Sequence, residues 1–175
     1  MVTSLLLLLR LAAAQAPEPV LIDRVVVIVS DRIITASDIR LEAELARRIP
    51  SPIRALRRSQ LRDPTEALIE QAIIRSQSAQ VSINQPTAAE VQERLLALRA
   101  TFPSPDEYDR FRRRHGLSEA AVVDRLTTRL SVERYIHRNI DLTSQSAREG
   151  VDAYFERYDD WLELQKVTTA IRFVE

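Results

Sequence analysis

The stretch LIDRVVVIVSDRIITASDI, Leu21 to Ile39, decides how this chain is read. Val25 to Val29 form an apolar run, the polar trio Ser30-Asp31-Arg32 interrupts it, and Ile33-Ile34-Thr35 resumes it. β-Branched residues suit a pleated, half-buried surface, so two such runs around a short polar break predict a β-hairpin. A lone hairpin is marginal in water and needs a partner to cover it. Thr35-Ala36-Ser37-Asp38 then supplies N-cap chemistry, and Ile39, Leu41, Ala43, Leu45, Ala46 and Ile49 predict a helix with one apolar face, ended by Pro50 and Pro52.

Further along, helix starts recur. Ile53 to Arg62 is basic, with Arg54, Arg57, Arg58 and Arg62, and reads either as a short helix or as a mobile loop with a solvated face. Asp63-Pro64-Thr65-Glu66 predicts a helix with Asp63 as N-cap, Pro64 in the first helical position and Glu66 closing a capping box. That helix carries Leu68, Ile69, Ala72, Ile73 and Ile74 to about Val81. Thr87 opens the next, with Val91, Leu95 and Leu98 on one stripe. Ser104-Pro105-Asp106-Glu107 repeats the cap, proline and box for a short helix carrying Tyr108 and Phe111, and Gly116 ends it in a left-handed conformation.

Ser118 caps the longest expected helix, Glu119 to about Asn139, the spine of the domain. A polar connection from Asp141 to Ser146 leads to a helix with Val151, Tyr154, Phe155 and Tyr158, with Trp161 and Leu162 just beyond it. Val167 to Val174 alternates as a strand does. The hairpin is the only edge available to it, so the expected fold is mainly α, with a small sheet made by the N-terminal hairpin and a C-terminal strand.

Composition narrows the function. With 175 residues and 45% apolar content, one packed domain is expected. Two glycines, Gly116 and Gly150, disfavour glycine-dependent phosphate loops. Formal net charge is zero, Lys166 is the single lysine, and acidic residues are interleaved with the arginines, which argues against a nucleic-acid footprint. Absence of cysteine removes disulfides, thiolate metal sites and cysteine nucleophiles. Residues 1–16 read as an export signal: Leu5 to Leu9 start an apolar segment too short to span a bilayer, and Ala14-Gln15-Ala16 fits the small-x-small cleavage pattern. Residues 17–175 then form the domain, with no membrane-spanning segment expected after cleavage.

Catalytic chemistry is hard to find. His115 and His137 fall near the ends of different helices, and Glu133 with His137 gives two metal ligands without a third. Serines and threonines such as Ser37, Thr87, Ser104 and Ser118 are accounted for as caps. No catalytic residue, cofactor or metal site is therefore expected. The remaining candidates are aromatic: Phe102, Tyr108, Phe111, Tyr154 and Trp161, which are expected either to pack in the core or to line an apolar groove for extended, unfolded segments. Tyr108 and Trp161, near expected helix ends, are the best placed.

The order of these motifs resembles the N-terminal chaperone domain of SurA and related periplasmic foldases of the parvulin type. Arg24 to Ile39 is similar to that family's opening hairpin and helix start, with Ser30 where its pattern has asparagine. Ala67 to Ile74, Thr87-Ala88-Ala89-Glu90-Val91, and Gly116-Leu117-Ser118-Glu119 followed by Leu126, Leu130, Glu133-Arg134 and Ile140 resemble its later helices. The similarity covers about Leu21 to Tyr158. It implies an ATP-independent periplasmic chaperone for unfolded or outer-membrane protein precursors, without the parvulin domain that carries prolyl isomerase activity. A module docking one specific partner and a foldase remnant are the alternative expectations.

Overall fold

The computed structural model describes residues 23–78, 82–141 and 150–174. The expected export signal over 1–16 lies outside them, as do residues 79–81, over which the helix opened by Pro64 was expected to run, and most of the expected connection after Asp141. The hairpin is present as β1 (Val25–Val29) and β2 (Arg32–Thr35), joined by the two-residue loop Ser30-Asp31. Ser30 has φ of 53°, a left-handed conformation that glycine and asparagine adopt more easily than serine. A third strand, β3 (Ile171–Phe173), lies antiparallel on the other side of β1, pairing Val29 with Ile171, Ile28 with Arg172 and Val27 with Phe173. The sheet order is therefore β2-β1-β3, and the mainly α fold with a small sheet at its clasp is what the structure shows.

The helices follow their caps. Thr35 and Asp38 form a reciprocal capping box at α1 (Ala36–Arg48), the Asp38 N–H donating to Thr35 Oγ1 at 3.3 Å and the Thr35 N–H to Asp38 Oδ2 at 3.0 Å. Ile53 to Arg62 folds as a helix, α2 (Arg54–Arg62), because Ala55, Leu56, Ser59 and Gln60 all bury on one side. Arg54, Arg57 and Arg62 stay exposed, as a solvated face requires. Next come α3 (Pro64–Ser78), α4 (Ala88–Ala100), α5 (Pro105–Arg114), α6 (Glu119–Ile136), a π-helical turn over His137–Asp141, and α7 (Val151–Thr168).

Two expected capping boxes form only by half. Asp63 Oδ1 accepts from the Thr65 and Glu66 N–H groups, but the Glu66 carboxylate reaches Lys166 instead of turning back. Ser104 Oγ accepts from the Glu107 N–H, while the Glu107 side chain pairs with Arg110 at 2.8 Å. In both cases a cation within reach outcompetes the cap backbone for the carboxylate.

The strand expected over Val167 to Val174 is shorter than its alternation suggested, and the preceding helix is longer. Tyr154, Tyr158 and Leu162 bury at helical spacing, which keeps Trp161 and Leu162 inside α7 rather than beyond it. Lys166 anchors the last turn to Glu66 and Glu163. Val167 is 84% exposed, so no sheet face drew it out of the helix. At 18 residues α7 equals α6, so the expected spine is not the single longest element.

The interior has two parts. In the first, Val27, Val29 and Ile34 of the sheet pack on Ile69, Ile73 and Ile74 of α3, Val132 and Ile136 of α6, and Tyr158 and Leu162 of α7. In the second, Leu41 and Leu45 of α1 meet Leu95 and Leu98 of α4, Phe111 of α5, and Val122 and Leu126 of α6. The N-terminal half of α6 serves one cluster and its C-terminal half the other, which makes α6 the spine in function.

Candidate functional site

The five aromatic candidates fall in two places. Phe102, Tyr108 and Phe111 pack on one another, with ring centroids 5.2 Å apart for Phe102 and Phe111 and 5.5 Å for Phe102 and Tyr108. All three are buried, and the Arg48 guanidinium lies 3.8 Å over the Phe102 ring. The Tyr108 hydroxyl, in the first turns of α5, donates to Glu119 at 3.1 Å. A shallow hollow of about 380 Å³ borders Phe102 and Tyr108. Tyr154 is buried in the other cluster, and Trp161, mid-way along α7 and not at its end, packs against Tyr135 and Tyr158. No single groove brings the five together.

A cleft of about 610 Å³ opens between the hairpin and α1, α3 and α6. Its floor is a buried polar network. Glu42 Oε1 accepts from Arg129 Nη1 at 2.9 Å, Gln71 Nε2 at 3.0 Å and Gln60 Nε2 at 3.1 Å, while Arg129 Nη2 donates to the Ile49 carbonyl at 3.0 Å. Four helices are tied through this one carboxylate. Ile34, Leu45, Leu68 and Ala72 supply apolar wall. Around the mouth stand Arg32 of β2, Arg75 of α3 and Arg125 of α6, with Asp31, Asp38 and Asp124. Arg125 is hydrogen-bonded to Asp38, whose carboxyl is held below its ordinary range: burial works against ionisation, and the Arg125 guanidinium and the Thr35 N–H outweigh it.

The cleft is not legible locally because its residues come from three separated segments, 31–45, 68–76 and 124–129. One signal was available. Glu42 lies beside Leu41 and Leu45, and Arg129 falls three residues from both Leu126 and Val132, so each puts a charge on an otherwise buried helix face. A charge is buried only with a partner, and two such positions on different helices point to each other.

A second surface lies at the sheet edge. Ser30 N–H donates to the Ala170 carbonyl at 2.7 Å and Val174 N–H to the Val26 carbonyl at 2.9 Å, so residues 170, 172 and 174 turn their backbone groups toward β1. By the alternation of antiparallel pairing, the N–H and C=O groups of Ile171 and Phe173 face the open edge. Phe173 is 62% exposed, and Leu164, Val167 and Val174 nearby in the chain are also exposed.

The histidines take other work. His115 ends α5 and its Nε2 lies 3.0 Å from Glu44, a carboxylate that also pairs with Arg48 and Arg114. Glu133 is buried and paired with Arg94 at 2.9 Å, while His137 is exposed. Among the described residues no three potential ligands are placed to hold a metal, and no helix is long and apolar enough to cross a membrane. No protein-family model matches the chain, and no curated protein matches it in sequence.

Proposed function

We propose that this chain is an exported, ATP-independent holding domain for unfolded polypeptide, acting in the periplasm on outer-membrane or secreted protein precursors, without prolyl isomerase activity. The observation that carries the reading is the open β3 edge. It offers outward backbone donors and acceptors at Ile171 and Phe173, with Phe173 and Val174 exposed there and Val167 exposed four residues before the strand. Such an edge suits an extended chain, since main-chain pairing needs no particular sequence and apolar side chains on either side add affinity without strict selection. The resemblance of the hairpin and the ordered helix starts to the SurA N-terminal domain supports the same reading.

The test is aggregation of a denatured β-barrel protein diluted into buffer with and without the chain lacking residues 1–16. Delay of aggregation by the wild type, and a weaker delay by a Val167→Ser, Phe173→Ser double variant of unchanged thermal stability, are the expected results. Absence of both aggregation delay and peptide binding removes the reading. Saturable binding to one folded protein that unrelated unfolded peptides do not displace replaces it with a single-partner docking module.

A further inference from the structure

We propose that the cleft between the hairpin and α1, α3 and α6 is a carboxylate site, taking a ligand with one acid group on a short apolar body and holding that group beside Arg32. The residue that carries this is Arg32. It is half-buried on β2, and its side chain makes no hydrogen bond or ion pair among the described residues. Three elements, β2, α3 and α6, bring the guanidinium groups of Arg32, Arg75 and Arg125 to one cavity. Burial first, and then the Arg125 and Arg75 charges, hold the Arg32 guanidinium below the usual arginine range against the pull of Asp38 and Asp124. Like charges gathered in a partly desolvated place repel, and an anion between them relieves the repulsion.

The same lining selects the ligand. Arg125 is met by Asp38 and Arg129 by Glu42, so both of those arginines are already paired. Asp31 and Asp124 are exposed at the mouth. Four arginines and four carboxylates therefore balance around the cavity, which suits a singly charged group better than a doubly charged phosphate. A guanidinium offers two parallel donors matched to the two oxygens of a carboxylate. Ile34, Leu45, Leu68 and Ala72 beside it favour an apolar body, and about 610 Å³ is the size of a small-molecule site rather than of a protein interface. A polypeptide C-terminus with apolar final residues and a free short-chain carboxylic acid share this chemistry.

The experiment is isothermal titration of the chain at low salt with acetyl-Ala-Leu-Leu, the same peptide as its C-terminal amide, hexanoate, and inorganic phosphate. Saturable binding of the free-acid peptide or of hexanoate is expected, with the amide at least about tenfold weaker, as loss of a charge-assisted pair implies. Binding of the peptide acid but not hexanoate assigns the site to chain termini; binding of both, or of hexanoate alone, assigns it to free acids. Arg32→Gln is expected to weaken binding about tenfold or more while leaving the melting temperature unchanged or higher, because a like charge is removed. If Arg32→Gln melts lower, Arg75→Gln carries the same test. Equal binding of acid and amide, phosphate binding tighter than the acids, affinity unmoved by the variants, or no binding at millimolar ligand overturns the proposal. Loss of holding activity does not bear on it, since Val167 and Phe173 lie outside this cleft.

Discussion

Glu70 sits in the interior with 3% of its surface exposed, its Oε1 accepting from Ser59 Oγ at 2.7 Å and its Oε2 from the Tyr158 hydroxyl at 3.4 Å. Burial raises its carboxyl to about 7, against the lowering effect of the Ser59 bond and of Lys166. An acid whose folded pKa lies above its unfolded value binds more protons when folded, so stability is full below about pH 4.5 and declines as pH rises toward 7. The loss is roughly 3 kcal/mol at most, at 1.36 kcal/mol per pKa unit. Glu70→Gln keeps an acceptor for Ser59 without the charge. It is expected to stabilise the chain by about 1–3 kcal/mol at pH 8 and to change little at pH 4.5, read by urea unfolding at both pH values. Arg129→Met, by contrast, strands the buried Glu42 carboxylate and is expected to cost about 3–5 kcal/mol, most of it recovered when Glu42 is also made Gln.

At the scale of elements, two left-handed residues make opposite predictions. Ser30, with φ of 53° in the hairpin loop, adopts a conformation that costs a side-chain residue about 1–2 kcal/mol, so Ser30→Gly is expected to raise the melting temperature. Gly116, with φ of 62° after α5, has open space around its missing Cβ, so Gly116→Ala is expected to cost about 1 kcal/mol from backbone strain alone. Gly116 could be read from sequence because helix ends are local. The caps at Thr87, Ser104 and Ser118 were legible for the same reason, each written within four residues of the helix it starts, whereas in the capping stretch before α1 the cap is Thr35 and not Ser37, whose N–H donates to Asp23. What failed was the boundary of α7. Val167-Thr168 alternates as a strand should, but Lys166 ties that turn to Glu66, 100 residues away, and no local pattern carries that contact. The cleft was illegible on the same ground, since Arg32, Arg75 and Arg125 belong to three elements and acquire a shared meaning only when those elements pack.

For the whole molecule, β3 closes the sheet, and its backbone alternation gives a sharp test. Arg172 directs its N–H toward β1, whereas Ile171 directs its own to the open edge. Arg172→Pro is therefore expected to lower stability by about 3 kcal/mol or more and Ile171→Pro by clearly less, measured by thermal melts side by side. The mainly α fold and its sheet were both legible, because the hairpin showed two β-branched runs around a polar break, the terminal strand alternated, and neither had another edge to join. The core behind them was less so: Tyr158 and Glu70 meet across 88 residues. The pairing of Val27 with Phe173 also bears on how the molecule comes into being. A chain that emerges N-terminus first, from a ribosome or through a membrane pore, presents β1 with one flank bare until the residues near 173 have followed. Throughout that interval its own unfinished strand is an open template for pairing with other chains, so a protein proposed to guard against aggregation passes through a stage in which it needs guarding itself.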